Sequence, residues 1–447
     1  MWPGRRRSRR LADGRAPRVL VLVENLSVPF DRRVWQESRV LTEAGCEVHV
    51  ICPRGTRQDT EPFAEIEGIH IHRYPLAAAT GGALGYLREY GTAMWHTLRI
   101  AVRLRWRRPV DVIHACNPPD LFWLVGLPFK LRGTRFVYDQ HDLVPELSLS
   151  RFGDDRKLMH RFCLLLERLT FATADHVIAT NRSYREIALH RGRKSPSQVD
   201  VVRSAPEIAR FQVQRPDPGL KRGAPHLLAY LGVMGPQDGL DYALRALAAL
   251  RDELGRTDWE AVFVGGGDML ETSIELAGAL GLGDVVRFTG RIPDDELCTW
   301  LSTADVCLAP DPKNPLNDVS TMNKIMEYMA LGRPIVSFDL VEARVSAGDA
   351  AVYAAANDEV AFAQAIAGLL DDPERRAEMG RIGRERVTGE LSWDASRIAL
   401  MRAYDKVLEP LGWPGRPHGA DVRSLPATSP ELRAPARDGR SEAASAR

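Results

Sequence analysis

Hydrophobic and polar positions along this chain follow two alternating patterns. Short runs of uninterrupted apolar residues, such as "RVLVLVEN" (18–25), have the length and composition of buried strands. After this first run, "VWQESRVLTEAG" (34–45) places apolar residues at helical spacing, and the apolar run "CEVHVICP" (46–53) comes next. Strand, helix and strand with short connections predict a βαβ unit, and therefore a parallel sheet covered by helices.

The alternation forms two successive series. A proline-rich segment, 212–225, separates the first series from a second that begins with "HLLAYLGVMG". We therefore predict an α/β fold of two Rossmann-like, doubly wound parallel-sheet domains, at residues 18–205 and 206–391, facing a central cleft. Ligands of such sheets bind beyond the carboxyl ends of the strands. A further helix is expected within 392–412, and its pattern fits packing on either domain.

The two ends of the chain lack both patterns. Residues 1–17 are basic, residues 413–447 are rich in Pro, Ala, Ser, Gly and Arg, and we predict disorder for both. With no signal-peptide core and no long apolar stretch, we expect a cytoplasmic protein. The net charge of +1 indicates no general preference for nucleic acid. Six cysteines without CxxC spacing predict reduced core thiols, with neither a disulfide framework nor a zinc site.

One segment combines a helix start with a cation and a carboxylate. The stretch "NDVSTMNKIMEYMALG" predicts a helix from about Thr321 to Leu331, capped by Ser320 or Thr321. Lys324 and Glu327, three residues apart, would lie on the same side of it. A helix N-terminus binds anions, so the group suits a nucleotide with its diphosphate and ribose. From spacing alone, a solvated Lys/Glu pair explains the residues equally well.

This segment resembles the signature of glycosyltransferase family 4. The resemblance implies the GT-B fold, with a nucleotide-sugar donor bound in the C-terminal domain. In the signature two glutamates are separated by seven residues, and Glu327 matches the second, to which the resemblance assigns the ribose hydroxyls. Val319 stands at the first position. Contact with the donor sugar is therefore expected from Asp318, Ser320, Thr321 or nearby amides.

A longer match to the same family runs from 262 to 310 and begins with "VFVGGGDMLE". The resemblance places the turn of Gly265 and Gly266 near the nucleotide. It also implies that backbone atoms around Arg291 and Ile292 hold the base. Taken alone, the glycine run would indicate only a tight turn with a close backbone approach.

The stretch "LGVMGPQDGLD" departs from the family pattern. Family members commonly read "GR....KG" here and use the Arg and the Lys on the diphosphate, whereas this chain has Val233 and Asp238. Hydrogen bonds to charged groups contribute roughly 1.5–3 kcal/mol each, so other groups must compensate. We predict that Lys324 and the helix start at 320–323 do so, and that close backbone approach by Gly232 and Gly235 adds amide donors. Arg203 is a weaker candidate.

The first domain contributes a histidine. His141 follows the strand of "RFVYDQHD" and matches the histidine that the resemblance places near the donor sugar and leaving phosphate. A structural histidine is the alternative. Asp142 and Glu146 are candidate acceptor-side groups. Arg32 and Arg33, in the loop after the first strand, suit either an anionic acceptor or an ordinary basic surface.

Residues 84–108 form a basic and aromatic helical pattern, "LGYLREYGTAMWHTLRIAVRLRWRR". Such a helix suits peripheral contact with an anionic membrane. A core-packing helix with a solvated basic face explains it equally well. RNA binding is a poorer explanation, because no platform for stacking single-stranded bases is evident.

Together these features predict a retaining transferase that moves a sugar from a UDP- or GDP-sugar to a glycan or lipid-linked acceptor. His141, Lys324 and Glu327 are the predicted catalytic group. The chain contains no Asp-x-Asp, so we expect no metal and no cofactor. A non-catalytic nucleotide-sugar-binding protein and a sugar-nucleotide epimerase remain alternatives. An oxidoreductase is disfavoured because the first βα turn lacks GxGxxG.

Overall fold

The computed structural model describes residues 15–55, 59–77, 82–152 and 157–413. The segments predicted to be disordered, 1–17 and 413–447, lie almost entirely outside these ranges. Residues 15 to 17 are described, and Arg15 forms an ion pair with Asp111 at 2.7 Å. The first domain therefore includes residues that precede its predicted boundary at Arg18.

The first domain is built on an eight-stranded sheet. Its strands are β1 (Arg18–Leu22), β2 (Glu47–Pro53), β3 (Phe63–Ile66), β4 (Ile69–Tyr74), β5 (Val112–Cys116), β6 (Arg135–Gln140), β7 (His176–Ala179) and β8 (Val199–Val201). Their order is β3-β4-β2-β1-β5-β6-β7-β8, and every adjacent pair is parallel except β3 with β4. All five residues of β1 are buried, because helices cover both faces of the sheet.

The sequence pattern does not predict the β3–β4 hairpin. Its two-residue turn consists of Glu67 and Gly68, with φ of 51° and 78°. Positive φ at both positions is the mark of a type I′ turn. Asn-Gly or Asp-Gly is the usual sequence signal for this turn, and the glutamate conceals it.

Helices flank this sheet on both faces. They are α1 (Arg32–Glu43), α2 (Gly82–Arg107), α3 (Trp123–Lys130), α4 (Val144–Phe152), α5 (Lys157–Thr173) and α6 (Arg182–His190). α1 packs on one face, and α2, α3, α5 and α6 contribute to the apolar cluster on the other. The predicted helix within 84–108 is confirmed as α2.

The second domain has a six-stranded, fully parallel sheet. Its strands are β9 (His226–Val233), β10 (Trp259–Gly266), β11 (Val286–Gly290), β12 (Val306–Ala309), β13 (Ile335–Phe338) and β14 (Ala351–Ala354), in the order β11-β10-β9-β12-β13-β14. The helices are α7 (Leu240–Asp252), α8 (Leu270–Ala279), α9 (Asp294–Thr303), α10 (Asn323–Ala330), α11 (Val341–Ala347), α12 (Glu359–Leu370) and α13 (Pro373–Thr388). One apolar cluster forms its core.

The last helix, α14 (Trp393–Leu408), packs on the first domain. Leu400 and Tyr404 join the apolar cluster beneath α1. The hydroxyl of Tyr404 also forms a 2.8 Å hydrogen bond with Nδ1 of His114. The chain thus returns from the second domain to the first. The helical pattern alone could not decide on which domain this helix packs.

All six cysteines are buried, as predicted for core thiols, and each has a free thiol in the structure. A search of the described residues finds no helix with the length and apolar character needed to cross a bilayer.

Candidate functional site

The carboxyl ends of the strands in both sheets border one cleft, as predicted. The cavity has a volume of about 1160 Å³ and is lined by both domains. The first domain contributes the loop after β1 and residues after β6, and the second contributes the ends of β9 and β10 and the segment before α10. Sites for small molecules and cofactors commonly measure about 300–1,000 Å³. The cleft therefore has room for a ligand much larger than one sugar.

Three of the predicted site glycines meet at the floor of the cleft. Gly265 has a φ of 133°, and a Cβ on it would lie 1.8 Å from the carbonyl oxygen of Gly232. Only glycine avoids that overlap. Gly232, Gly265 and Gly266 all line the cavity. The backbone of β9 and β10 is therefore open to close approach by a ligand.

Gly235 is not available in the predicted way. Its amide N–H donates to Oδ2 of Asp238 at 2.9 Å. Asp238, at the position where the family has lysine, thus closes a tight turn. The prediction that the Gly235 amide compensates for the missing Arg and Lys is wrong, because that amide already has an acceptor.

Lys324 lies within a buried cluster of charges. Its Nζ is 2.6 Å from Oδ1 of Asp311 and 3.5 Å from Oδ1 of Asp238. The exposed fractions of Lys324 and Asp311 are 6% and 1%. Burial lowers the pKa of Lys324, but the neighbouring carboxylates outweigh burial and raise it. The ammonium of Lys324 is therefore charged and already paired with carboxylates. The spacing predicts a cation that is free to bind an anion.

The start of α10 differs from the prediction. The helix begins at Asn323, and its N-cap residue, Met322, makes no side-chain capping bond. The hydroxyl of Ser320 donates to a main-chain carbonyl of the preceding turn at 2.7 Å, and that of Thr321 accepts from Asn181 at 3.1 Å. Capping by either residue is therefore wrong. Both still line the cleft, and the N-cap residue offers the first amides of α10 no side-chain acceptor.

Asp318 does not contribute to the cleft wall. Its Oδ1 accepts the amide N–H of Val341 at 3.0 Å and lies 3.3 Å from Nζ of Lys313. The side chain thus holds the start of α11. Of the residues predicted to replace the first glutamate of the signature, Ser320 and Thr321 face the cavity, and Asp318 has a structural role.

Glu327 contacts the first domain beside the cleft, although it is not among the residues that line the cavity. Its Oε1 accepts a hydrogen bond from Nη1 of Arg32 at 3.2 Å, and Nη2 of Arg32 lies 3.6 Å from Asp294. Burial raises the pKa of Glu327 to about 7, although Arg32 opposes the shift. The carboxylate is held by a half-exposed arginine, which a ligand can displace at moderate cost.

His141 is fixed from two directions. Its backbone N–H donates to Oδ1 of Asn117 at 2.7 Å, and its Nε2 lies 2.6 Å from Oδ2 of Asp139. Burial raises the pKa of Asp139, but Arg33 and the two histidines beside it outweigh burial and lower it well below its usual value. The ionised carboxylate orients the ring. His141 lines the cleft.

The predicted acceptor-side groups do not act as one set. Arg33 is buried, with Nη2 2.8 Å from Asp139 and 3.0 Å from Glu37, so it is neither a surface arginine nor a free cation. Glu146 pairs with Arg191 at 2.5 Å. Of the predicted acidic groups, only Asp142 lines the cleft.

Arg291 and Ile292 line the cavity directly after β11. The guanidinium of Arg291 lies 5.9 Å from the ring centroid of Phe30, which belongs to the first domain. The two domains therefore approach each other here. Contact of these residues with a base stays a prediction.

One group of described residues has the composition of a metal site. The ligand atoms of His114, Cys116 and Asp139 lie within 4.8 Å of one another, and all three residues are buried. The guanidinium of Arg33 already contacts Asp139 at 2.8 Å. A second cation in the same place would be repelled, so these residues fit a metal ion poorly.

Comparison with known families decides what this cleft belongs to. The family profile "Glycosyl transferase 4-like domain" matches residues 31–205, and "Glycosyl transferases group 1" matches residues 225–372. The protein is a family 4 glycosyltransferase. It is similar to a D-inositol 3-phosphate glycosyltransferase of Salinispora tropica, at 28% identity over 84% of this chain and 80% of the relative. It is also similar to a Mycobacterium tuberculosis glycogen synthase, at 26% identity over 83% and 90%.

Solved structures confirm the GT-B fold of the transferase. A sucrose-phosphate synthase from Thermosynechococcus elongatus matches with a TM-score of 0.69 and 19% identity, covering 88% of this chain and 99% of that structure. Anabaena HepE in complex with UDP-glucose matches with a TM-score of 0.63 and 15% identity, covering 88% and 99%. The predicted family, fold class and enzyme class are therefore correct.

Asp311 is a cleft residue of the transferase that the sequence pattern does not predict. It lines the cavity, and its Oδ2 is buried without a hydrogen-bond partner among the described residues. Burial raises the pKa of this carboxyl group. An unpaired buried oxygen costs free energy until a donor reaches it. Asp311 lies eight residues before Val319, the first position of the signature. It is therefore outside the segment that the signature covers.

Proposed function

We propose that this glycosyltransferase moves a sugar from a nucleoside diphosphate sugar to an acceptor hydroxyl with retention of the anomeric configuration. The observation that carries the proposal is the cleft, where Gly232, Gly265 and Gly266 of the second domain share one cavity with His141 of the first. A nucleotide-sugar bound there meets open backbone on one side and a fixed imidazole on the other. Similarity to HepE, which was solved with UDP and with UDP-glucose, supports this donor class.

The diphosphate would bind at the start of α10. Its first amides lack a side-chain cap, and a helix N-terminus stabilises an anion by about 0.3–1 kcal/mol, or up to ~2 kcal/mol when partly buried. Lys324 would contribute through a charge that it shares with Asp311, 2.6 Å away. Glu327 would accept the ribose hydroxyls after releasing Arg32. The unpaired Oδ2 of Asp311 would accept a hydrogen bond from a donor hydroxyl.

Catalysis would rest on preorganised electrostatics without a metal ion. Charge that develops on the leaving phosphate would be stabilised by amides that are already oriented, which is usually the largest catalytic contribution. His141 would position the sugar or the leaving phosphate. Its ring is held by Asp139 at 2.6 Å, so little reorganisation would accompany the reaction.

The acceptor in this proposal is a glycan or a lipid-linked saccharide used in cell-surface polysaccharide or glycolipid assembly. We further propose a cytoplasmic location with peripheral membrane contact through residues 84–108. The exposed arginines and tryptophans of α2 support this contact. Arg32 and Arg33 support an anionic acceptor less well than expected, because both form ion pairs.

A transfer assay with product analysis tests the reaction. Purified protein incubated with UDP- and GDP-sugars and a panel of lipid-linked saccharides is expected to release nucleoside diphosphate. Proton NMR of the product should show the anomeric configuration of the donor. An inverted product would overturn retention, and an epimerised nucleotide-sugar without transfer would favour the epimerase alternative. No nucleotide release from any donor would contradict the proposal altogether.

A further inference from the structure

The exposed side of α2 is basic and aromatic along its length. Its buried side packs on the sheet through Ala93, Ala101 and Leu104. Facing solvent, at helical spacing, are Arg88, Trp95, Arg99, Arg103, Trp106 and Arg107. Trp106 is 85% exposed. Core packing therefore explains only the buried side of α2, and its basic, aromatic side needs a separate explanation.

A second helix repeats this arrangement. On α5, Phe171 packs into the core, whereas Leu158, Phe162 and Leu165 are exposed. Their spacing of four and three residues places them in one stripe. Leu158 is 82% exposed. Lys157, Arg161 and Arg168 are exposed beside the stripe.

α3 joins the two stripes into one surface. It packs against α2 and α5, and the guanidinium of Arg105 in α2 lies 5.6 Å from the ring centroid of Phe129 in α3. Leu124 of α3 and Leu131, directly after it, are exposed. We call the exposed stripes of α2 and α5, together with Leu124 and Leu131, the basic apolar face.

The charge and apolar content of this face are exceptional for the molecule. The whole chain has a net charge of +1, yet seven exposed residues of α2 and α5 are basic and no exposed residue of these helices is acidic. Fourteen large hydrophobic side chains are exposed among the described residues, and seven of them belong to this face. Large apolar patches with a charged rim mark interaction surfaces.

We propose that the basic apolar face docks on the surface of an anionic lipid bilayer. Arginines attract anionic headgroups, while tryptophan, phenylalanine and leucine enter the boundary between headgroups and acyl chains. A protein partner would require acidic groups matching seven separate cations, whereas a bilayer supplies mobile anions. This proposal extends the peripheral contact proposed above for residues 84–108. It rests on that earlier proposal only in the part that concerns α2.

Docking in this way would bring the bilayer to the acceptor side of the cleft. α4 packs against α5, and its Leu147 lines the cavity. His160 of α5 forms a 3.1 Å hydrogen bond with the carbonyl of Pro145 in α4. Among the described residues, α4 thus joins α5 to the wall of the cleft, and a lipid-linked acceptor in the bilayer would have a short path.

Vesicle cosedimentation of the full chain tests the proposal. We expect binding to phosphatidylcholine vesicles that contain phosphatidylglycerol, weak binding to phosphatidylcholine alone, and a loss of binding as salt is raised. The triple variant Arg99→Glu, Arg103→Glu, Arg107→Glu should reduce partitioning by about 100-fold. The double variant Leu158→Ala, Phe162→Ala should also weaken binding and keep the salt dependence.

A matched triple variant, Arg215→Glu, Arg375→Glu, Arg402→Glu, changes the same charge at exposed positions outside the face. It should bind vesicles nearly as the unmodified protein does. An equal loss in both triples, or the absence of binding to anionic vesicles, would overturn the proposal. So would binding to a single-stranded RNA probe with none to vesicles. Release of nucleoside diphosphate in solution should be unchanged in every variant, which separates this test from that of the transfer reaction.

Discussion

Replacing Lys324 with methionine is expected to lower the free energy of unfolding by about 3–5 kcal/mol, because it leaves buried carboxylates without their cation. Asp311 is 1% exposed, and its Oδ1 lies 2.6 Å from Nζ of Lys324. Methionine fills much of the space of the lysine stem, so the lost charge should dominate over lost packing. Urea denaturation of the two proteins measures the difference.

A more exposed pair of the same length provides the control for Lys324. Nζ of Lys221 lies 2.6 Å from Asp305, and both side chains are about a fifth exposed. Lys221→Met should cost about 0–1 kcal/mol. Adding Asp311→Asn to Lys324→Met should restore part of the lost stability, because it removes one uncompensated charge. A cost for Lys324→Met as small as that of the control would contradict the buried cluster.

Replacing His141 with alanine is expected to reduce kcat by about 10²–10³-fold, the usual effect of removing one preorganised group from a transition state. The ring lines the cleft and is held by Asp139 at 2.6 Å. Nucleotide affinity should change little, because the donor nucleotide is proposed to bind the other domain. Steady-state transfer kinetics and a nucleotide titration measure the two quantities.

His190→Ala serves as the control, because the side chain of His190 is 82% exposed. This substitution should leave kcat unchanged. An unchanged kcat in His141→Ala would show that the histidine has only a structural role. If His141→Ala lost as much nucleotide affinity as kcat, His141 would instead have its role in binding the donor.

Most of the fold follows from local pattern. Uninterrupted apolar runs such as that of β1 become buried parallel strands, and helical spacing between them becomes covering helices. The β3–β4 hairpin has no such signal, because β3 is an exposed edge strand and its turn carries Glu67 in place of the usual Asn or Asp. The packing of α14 depends on contacts such as Tyr404 with His114, which are far apart in sequence.

The candidate site is predictable only where it depends on backbone shape. Gly265 is required by the close approach of β10 to the carbonyl oxygen of Gly232 in β9, so its sequence signal is direct. Charge pairs cannot be predicted in this way, because the two partners belong to separate helices, strands or loops. Arg32 and Glu327 are 295 residues apart, and nothing in the local sequence indicates that they meet. Spacing therefore predicts Lys324 near an anion and misses the two aspartates that hold it.

The central claim is that the second domain binds the donor nucleotide with its ribose at Glu327. The carboxyl group has its pKa raised to about 7 by burial, so it is mainly protonated below pH 7 and becomes an ionised acceptor for hydroxyls above it. Nucleotide affinity that depends on this carboxylate should therefore rise as pH rises through 7. Glu327→Gln should weaken binding by about 10–100-fold at pH 8, since hydrogen bonds to charged groups contribute roughly 1.5–3 kcal/mol.

Titration calorimetry of UDP, GDP and ADP into the unmodified protein, Glu327→Gln and the exposed-residue control Glu271→Gln, at pH 6 and pH 8, tests this claim most directly. One nucleotide is expected to bind the unmodified protein and the control with higher affinity at pH 8. Glu327→Gln should bind it weakly and with less dependence on pH. Equal affinities in all three proteins at both pH values would contradict the claim.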